Sequence, residues 1–248
     1  MHFPVTVSFF GTQILLHTIC EVAGIFIGFR YFLWLRKKQG DIIETSSRTW
    51  ILIAATLGAF IGSRLVGGFE NPLQMVQSQN IFFYFYANKT VLGGFLGGLF
   101  MVELIKKITG ENKASGDLFV YPLMLALIIG RIGCFSMGIY EETYGIATTL
   151  PWGMNLGDGI ARHPVALYEI IFLMALWISV FNAEKKWRFK NGSRFKIFLM
   201  SYILFRFLLD FIKPHFTFSF GLSTIQIVCI TGFVWYARYF VQPKKLLA

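Results

Sequence analysis

The chain reads IIGRIGCF at residues 128–135, and this stretch closes an apolar run that begins near Leu118. A guanidinium group within so apolar a helix costs about 3 kcal/mol or more unless an anion, water or a carboxylate meets it. Arg131 is therefore the first predicted site residue. Gly130 and Gly133 flank it, and their missing side chains predict a close approach by another backbone or by a lipid head group.

The composition indicates a membrane protein before any motif is considered. Of the 248 residues, 55% are apolar and only 15% are charged, which is more apolar surface than one water-soluble core buries. The net charge of +10 fits basic cytoplasmic loops better than a nucleic-acid partner. Cys20, Cys134 and Cys229 lie in apolar runs without metal-ligand spacing, so a structural role is predicted for all three.

Seven apolar segments have the length of about 17 to 25 residues that a membrane crossing requires. They predict an all-α fold, a polytopic membrane protein with a single transmembrane helical domain over residues 1–248. The segments are 13–35, 50–67, 89–105, 118–138, 164–182, 195–212 and 222–240.

Lysine and arginine are distributed unevenly between the loops that these segments define. Of the 23, sixteen lie on one side, three lie on the other and four lie within spans. The positive-inside rule then predicts an N-terminus outside and a C-terminus in the cytoplasm. Residues 139–163 are the longest external segment, and their aromatic, turn-rich composition predicts a loop or cap on the outer face.

Three arginines, Arg64, Arg131 and Arg206, are placed towards the outer ends of their spans. Guanidinium groups that meet at one depth predict a clamp for a phosphodiester, such as the head group of a phospholipid. For Arg206, an i,i+4 ion pair with Asp210 is the alternative. Lys89 is either an interfacial anchor or a further phosphate contact.

Polar residues in spans one and five are the candidates for proton transfer. His17 and Glu21 lie four residues apart and therefore on one helical face. They predict a satisfied buried pair, a bond from Glu21 to an arginine, or a group that takes a proton from an incoming nucleophile. His163 is expected at the N-cap of span five. Tyr168 and Glu169 follow, and Glu169 is a natural partner for one of the arginines.

Five short motifs form a set along the chain. GRIGCF at 130–135 is followed by Glu142 and Gly145, and the others are HPVALYE at 163–169, SYILFRF at 201–207, GLSTIQ at 221–226 and GSR at 62–64. In sequence and order, this set resembles the motifs of the bacterial prolipoprotein diacylglyceryl transferase family. The resemblance covers nearly the whole chain.

The resemblance implies transfer of the diacylglyceryl group of phosphatidylglycerol, an anionic phospholipid, to a cysteine thiol of a secreted lipoprotein precursor. The protein is then expected in the bacterial inner membrane, without a metal or other cofactor. Arg131 and Arg206 map to catalytic arginines of the family. The residues expected to bind substrate are Arg64, Lys89, Glu142, Gly145, Tyr168, Glu169 and Tyr202.

The chain differs from the family pattern at several positions, and these differences leave alternative functions open. The family has a histidine, its proposed base, before a glycine pair, where this chain has Leu92 or Leu96. Cys134 stands at the motif asparagine, and His17 stands roughly where the family has a tyrosine. Three hypotheses therefore remain: a substitute base among His17, Glu21 and His163, another acceptor, or a non-catalytic phospholipid-binding protein.

Overall fold

The computed structural model describes residues 2–247, and α-helices dominate this range. It contains nine of them: α1 (Leu16–Gln39), α2 (Thr45–Gly68), α3 (Pro72–Gln77), α4 (Ile81–Ala87), α5 (Val91–Thr109), α6 (Val120–Met137), α7 (Val165–Lys186), α8 (Ser193–Asp210) and α9 (Thr224–Val241). Two short antiparallel hairpins, which the all-α prediction omits, accompany them. They pair β1 (Thr6–Phe9) with β2 (Thr12–Leu15), and β3 (Met154–Asn155) with β4 (Ala161–Arg162).

Seven of the helices in this range are long, and each overlaps one of the seven predicted apolar segments. Five helical segments among the described residues are long and apolar enough to cross a membrane: Leu16–Gln39, Thr45–Gly68, Asp117–Tyr140, Val165–Lys186 and Thr224–Val241. Helices α5 and α8 are not among these five, and every stretch of 18 residues in them holds at least three charged side chains. The protein is therefore an α-helical membrane protein, and the count of seven spans stays a prediction.

The helices group into two compact units. The described part of the first unit comprises 2–40, 116–188 and 211–214, and it contains α1, α6, α7 and both hairpins. The second comprises 41–115, 189–210 and 215–247, with α2 to α5, α8 and α9. This grouping neither confirms nor contradicts the predicted single transmembrane domain, which stays a prediction.

In the first unit, α1 packs closely on α6 because two glycines of α1 lack a side chain. A Cβ at Gly24 would lie 2.9 Å from the carbonyl oxygen of Ala126, and one at Gly28 would lie 3.0 Å from the Cβ of the same residue. The rings of Phe32 and Phe119 stack at 4.3 Å further along this contact. The spacing of small residues thus determines how closely these helices approach.

In the second unit, α2 and α5 meet backbone to backbone. A Cβ at Gly58 would collide with the carbonyl oxygen of Gly97, and one at Gly62 with the carbonyl oxygen of Gly93. The missing side chains at these glycines let the two backbones pack closely. Phe198 of α8 is fully buried in the same unit.

Candidate active site

Arg131 and Glu169 form a buried ion pair in the first unit. Arg131 lies near the end of α6, and Glu169 lies in the first turns of α7, which begins directly after Pro164. The Nε atom of Arg131 is 2.9 Å from Oε2 of Glu169, and their side chains are only 11% and 1% exposed. The predicted pairing of Glu169 with one of the arginines is confirmed, and it compensates the charge of a guanidinium in an apolar helix.

The same guanidinium also contacts a thiol. Nη1 of Arg131 donates to Sγ of Cys134, three residues further along α6, over 3.4 Å. Arginine presents five donors in a planar fork, which allows one side chain to bind several acceptors at once. Arg131 is thus held between a carboxylate of α7 and a thiol of its own helix.

Gly133 brings α1 to this part of α6. A Cβ at Gly133 would lie 2.8 Å from Cβ of Cys20 and 3.1 Å from Cα of His17. The close approach predicted for the flanking glycines is therefore confirmed at Gly133. Beside Gly130, by contrast, a Cβ would meet no atom of the described residues within 4 Å. The absence of a side chain at Gly133 places His17 next to Cys134.

His17 lies between two carboxylates. Its Nδ1 is 3.2 Å from Oε2 of Glu141, and its Nε2 is 3.6 Å from Oε2 of Glu21 on the next turn of α1. The thiol of Cys134 donates to Oε1 of Glu141 over 3.9 Å. We call these four residues, His17, Glu21, Cys134 and Glu141, the His17 cluster. Imidazole, thiol and carboxylates in one place are suited to proton transfer and to metal binding.

Glu141 is the member of this cluster that sequence reasoning missed. Helix α6 ends at Met137, and Gly138 follows with a φ of 59°, a left-handed value that favours glycine. A 3-10 turn over Gly138–Tyr140 then returns the chain towards the helix end. The family motif matches Glu142, which is exposed. The spacing of residues in the sequence does not mark its neighbour Glu141 as a site residue.

His163 belongs to a second polar group of the first unit. Its Nδ1 lies 3.0 Å from the hydroxyl of Tyr168, and the indole Nε1 of Trp152 donates to that hydroxyl over 2.9 Å. The backbone N–H of Gly145 donates to the carbonyl of His163 over 3.0 Å. A Cβ at Gly145 would lie 2.9 Å from the carbonyl oxygen of Ile212, so the glycine here permits close backbone packing.

The loop 139–163 contains the hairpin of β3 and β4, and it carries Gly145, Trp152 and His163. Asp158 accepts a hydrogen bond of 2.7 Å from Nε of Arg162. This bond holds the pKa of the Asp158 carboxyl below its usual value. Asn155 accepts hydrogen bonds from the backbone N–H groups of Gly157 and Gly159, which closes the turn between β3 and β4.

In the second unit, a buried polar group surrounds the end of α8. Arg206 and Asp210 of α8 are buried, as are Ser223 and Gln226 at the start of α9. Ser223 donates to Asp210 and, with Gln226, forms a capping box, so the GLSTIQ motif begins α9. Nδ1 of His215 lies 3.8 Å from Asp210.

The other basic residues proposed for phosphate binding also lie in the second unit. The guanidinium of Arg64 lies over the rings of Phe60 and Tyr86, at 5.3 and 4.9 Å from their centroids. These cation–π contacts orient the guanidinium. Lys89 is exposed. Arg131 belongs to the first unit, and its predicted convergence with Arg64 and Arg206 stays a prediction.

Tyr202, expected to bind substrate, is fully buried in the core of the second unit. Its ring contacts those of Phe95 and Phe198, with centroids 5.1 and 6.1 Å away. Leu92, one of the two leucines at the place of the family histidine, is 1% exposed. Both side chains contribute to packing.

Comparison with known proteins places this site within a family. Residues 4–241 match the family model described as prolipoprotein diacylglyceryl transferase. A phosphatidylglycerol–prolipoprotein diacylglyceryl transferase from Nitratidesulfovibrio vulgaris (strain DP4) is 32% identical over 225 residues, 82% of this chain and 81% of that protein. Proteins of the same name from Cupriavidus metallidurans and Methylobacillus flagellatus are 31% and 33% identical. They match over 75% and 81% of this chain, and over 73% and 82% of their own lengths.

The match extends over all the sequence motifs named above. It includes the α6 segment with Arg131, the start of α7 with Glu169 and, in the second unit, the start of α9 with Ser223. With more than two thirds of the chain and of each relative aligned, this chain belongs to the prolipoprotein diacylglyceryl transferase family.

Proposed function

We propose that this protein transfers the diacylglyceryl group of phosphatidylglycerol to a cysteine thiol of a secreted prolipoprotein. A carbon–sulfur bond forms at the diacylglyceryl carbon while the bond from that carbon to the phosphate oxygen breaks, and glycerol phosphate leaves. The protein crosses the bacterial inner membrane seven times, with its N-terminus outside and its C-terminus in the cytoplasm. Seven long helices and the distribution of lysine and arginine support this topology.

The ion pair between Arg131 and Glu169 is the observation that carries the proposal. Negative charge grows on the phosphate oxygen as the carbon–oxygen bond breaks. A guanidinium fixed in advance stabilises this charge without having to reorient during the reaction. Glu169 holds Arg131 by its Nε atom. The phosphate is then bound by the same guanidinium, whose planar fork of five donors can serve several acceptors at once.

Removal of the acceptor's proton is the second requirement, because the thiolate is the nucleophile. Leucine at the place of the family histidine supplies no base. The His17 cluster supplies acid–base groups in the same unit as Arg131, and contacts of 3.2 and 3.6 Å join His17 to two carboxylates. His163, bonded to Tyr168, is the second candidate for this role.

The remaining roles rest on the motif matches, and each residue is proposed by itself. Arg206 is a second catalytic arginine, and Arg64 and Lys89 bind lipid phosphate. Glu142, Gly145 and Tyr168 are proposed to contribute to substrate binding in the first unit, and Tyr202 to support it from the core of the second unit. The partners are phosphatidylglycerol and a lipoprotein precursor, without nucleic acid.

A reconstituted assay tests the proposal. The purified protein in phosphatidylglycerol vesicles is given a lipobox peptide, and the S-diacylglyceryl peptide is identified by mass spectrometry. We expect Arg131→Ala to lower the initial rate by about 100-fold or more, as the loss of a preorganised oxyanion donor does. Arg30→Ala, which removes an exposed arginine of α1, is the matched control and is expected to retain the rate.

A phospholipid-binding protein without transfer activity is the second candidate, and the leucines at the histidine position favour it. It predicts that Arg131→Ala weakens binding of phosphatidylglycerol while the wild-type protein forms no product with any competent peptide. Product formed on a nucleophile other than a cysteine thiol would instead identify a diverged acceptor.

A further inference from the structure

Three side chains of the His17 cluster are arranged like the ligands of a metal ion. Each of His17, Cys134 and Glu141 offers one ligand atom, and these three atoms lie within 4.8 Å of one another. A tetrahedral zinc ion with bonds of about 2.0 to 2.3 Å holds its ligand atoms about 3.3 to 3.6 Å apart. The contacts to the Glu141 carboxylate, 3.2 Å from His17 to Oε2 and 3.9 Å from Cys134 to Oε1, are close to this spacing but end on different oxygens. The three ligand atoms, which lie within 4.8 Å of one another, have to move closer together to bind one ion.

The hydrogen bonding of the cluster requires a proton or a metal ion between two of its atoms. Nδ1 of His17 and Oε2 of Glu141 are both buried, and among the described residues neither has a hydrogen-bond partner of good geometry. Yet the two atoms face each other at 3.2 Å. Two lone-pair donors at this distance repel each other unless a proton or a metal ion lies between them.

The other side of the imidazole supports the same conclusion. A histidine that binds a metal through one nitrogen usually donates its other ring N–H to a carboxylate, which fixes the tautomer. Nε2 of His17 lies 3.6 Å from Oε2 of Glu21, which lies on the next turn of α1. Glu21 is therefore the carboxylate beside this nitrogen, at a distance somewhat longer than a hydrogen bond.

We propose that His17, Cys134 and Glu141 form a binding site for a divalent transition-metal ion of the zinc class. The nitrogen, sulfur and oxygen ligands favour such an ion over Mg²⁺ or Ca²⁺, which prefer oxygen alone. A Cys134 thiolate and the Glu141 carboxylate balance the two positive charges. Arg131, which donates to Cys134, is already paired with Glu169, so its charge is compensated locally.

Three protein ligands leave the fourth tetrahedral position open, as in catalytic zinc sites. This part of the inference rests on the proposed function: an ion held there would supply Lewis-acid stabilisation of the acceptor thiolate, and the thiol proton would pass to Glu21, which is 45% exposed. The thiolate would attack the diacylglyceryl carbon, and glycerol phosphate would leave with the electron pair of the broken bond. His17 and Cys134 are both positions at which the chain departs from the family pattern, so the metal would take the place of the missing base.

Metal binding is tested without reference to activity. Untagged protein in detergent is stripped with a chelator and titrated with Co²⁺ and, separately, with Zn²⁺. We expect about one ion per chain and a cobalt–thiolate charge-transfer absorption. Cys134→Ser is expected to abolish this absorption, and Cys229→Ser, which removes a buried thiol of the second unit, is the matched control that retains it. Glu21→Gln is expected to weaken Zn²⁺ binding by about 10- to 100-fold with the absorption preserved.

Each outcome decides one question. Equal Co²⁺ binding and absorption in wild type and Cys134→Ser overturn the metal site, as does the absence of binding in folded wild-type protein. If Cys134→Ser fails to fold, His17→Gln serves as the second ligand variant, with loss of Zn²⁺ affinity expected. Product formed by metal-free wild type overturns the role of the metal in the transfer alone, whereas metal binding without product formation overturns the transferase proposal alone.

Discussion

Substitution of Gly93 by alanine tests the packing of α2 on α5, and its neighbour provides the control. A Cβ at Gly93 would collide with the carbonyl oxygen of Gly62 and lie 2.7 Å from Cβ of Val66. A Cβ at Gly94 would lie 3.6 Å from the carbonyl oxygen of Ala59, which is an ordinary contact. The two substitutions add the same methyl group to adjacent positions of one helix turn.

The comparison isolates the cost of the collision. Replacing glycine by alanine favours a helix by about 1 kcal/mol, and it reduces the entropy of the unfolded chain equally at both positions. These contributions cancel in the difference between the two variants. What remains is the cost of forcing an extra methyl group into a packed interface, about 1 to 3 kcal/mol. For a chain of this size, that corresponds to a difference in Tm of about 2 to 12 °C.

The measurement is thermal unfolding of both variants in the same detergent at one scan rate, followed by tryptophan fluorescence. We expect Gly94→Ala to match or exceed the wild-type Tm and Gly93→Ala to fall below both. Equal Tm values for the two variants would refute the reasoning, because they would mean that α2 and α5 are not in contact through their backbones at this point.

Three further predictions concern the site and its supports. Glu169→Gln removes the carboxylate that compensates a buried guanidinium, so we expect a loss of about 3 to 5 kcal/mol in unfolding free energy together with lower transfer activity. A normal Tm and rate would argue against that ion pair. Gly133→Ala adds a methyl group that would lie 3.1 Å from Cα of His17, and we expect a reduced transfer rate with retained helix content by circular dichroism. Ser223→Ala removes the N-cap of α9 and a buried hydrogen bond, and we expect a loss of about 1 to 2 kcal/mol, whereas the exposed Ser179→Ala should change Tm little.

Much of the helical framework can be read from local sequence. The helix over Val120–Met137 was predicted at 118–138, and the helix over Thr224–Val241 at 222–240. Apolarity and segment length decide these helices, because a backbone in lipid satisfies its hydrogen bonds within its own segment. The same locality explains what was missed: the strands of the two hairpins are only four and two residues long, which is too short for a strand pattern to be recognised in the sequence.

The candidate site was only partly predictable. Arg131 stood out because a charge within an apolar run is costly, and a carboxylate partner in span five followed from the same reasoning. Glu141 was not predicted, and Cys134 was expected to be structural. The contacts that bring Cys134 and Glu141 next to His17 depend on a turn at Gly138 and on the approach of α1 at Gly133. Local sequence patterns specify neither of these features.

The sequence by itself determined that this protein is helical, lies in a membrane and carries the motifs of a diacylglyceryl transferase, since hydrophobicity and motif order are properties of the chain read in one dimension. Only the tertiary structure decided which carboxylate pairs with Arg131 and that His17 meets Cys134 and Glu141. These groups come from distant parts of the chain, and their distances follow from helix packing at glycine positions.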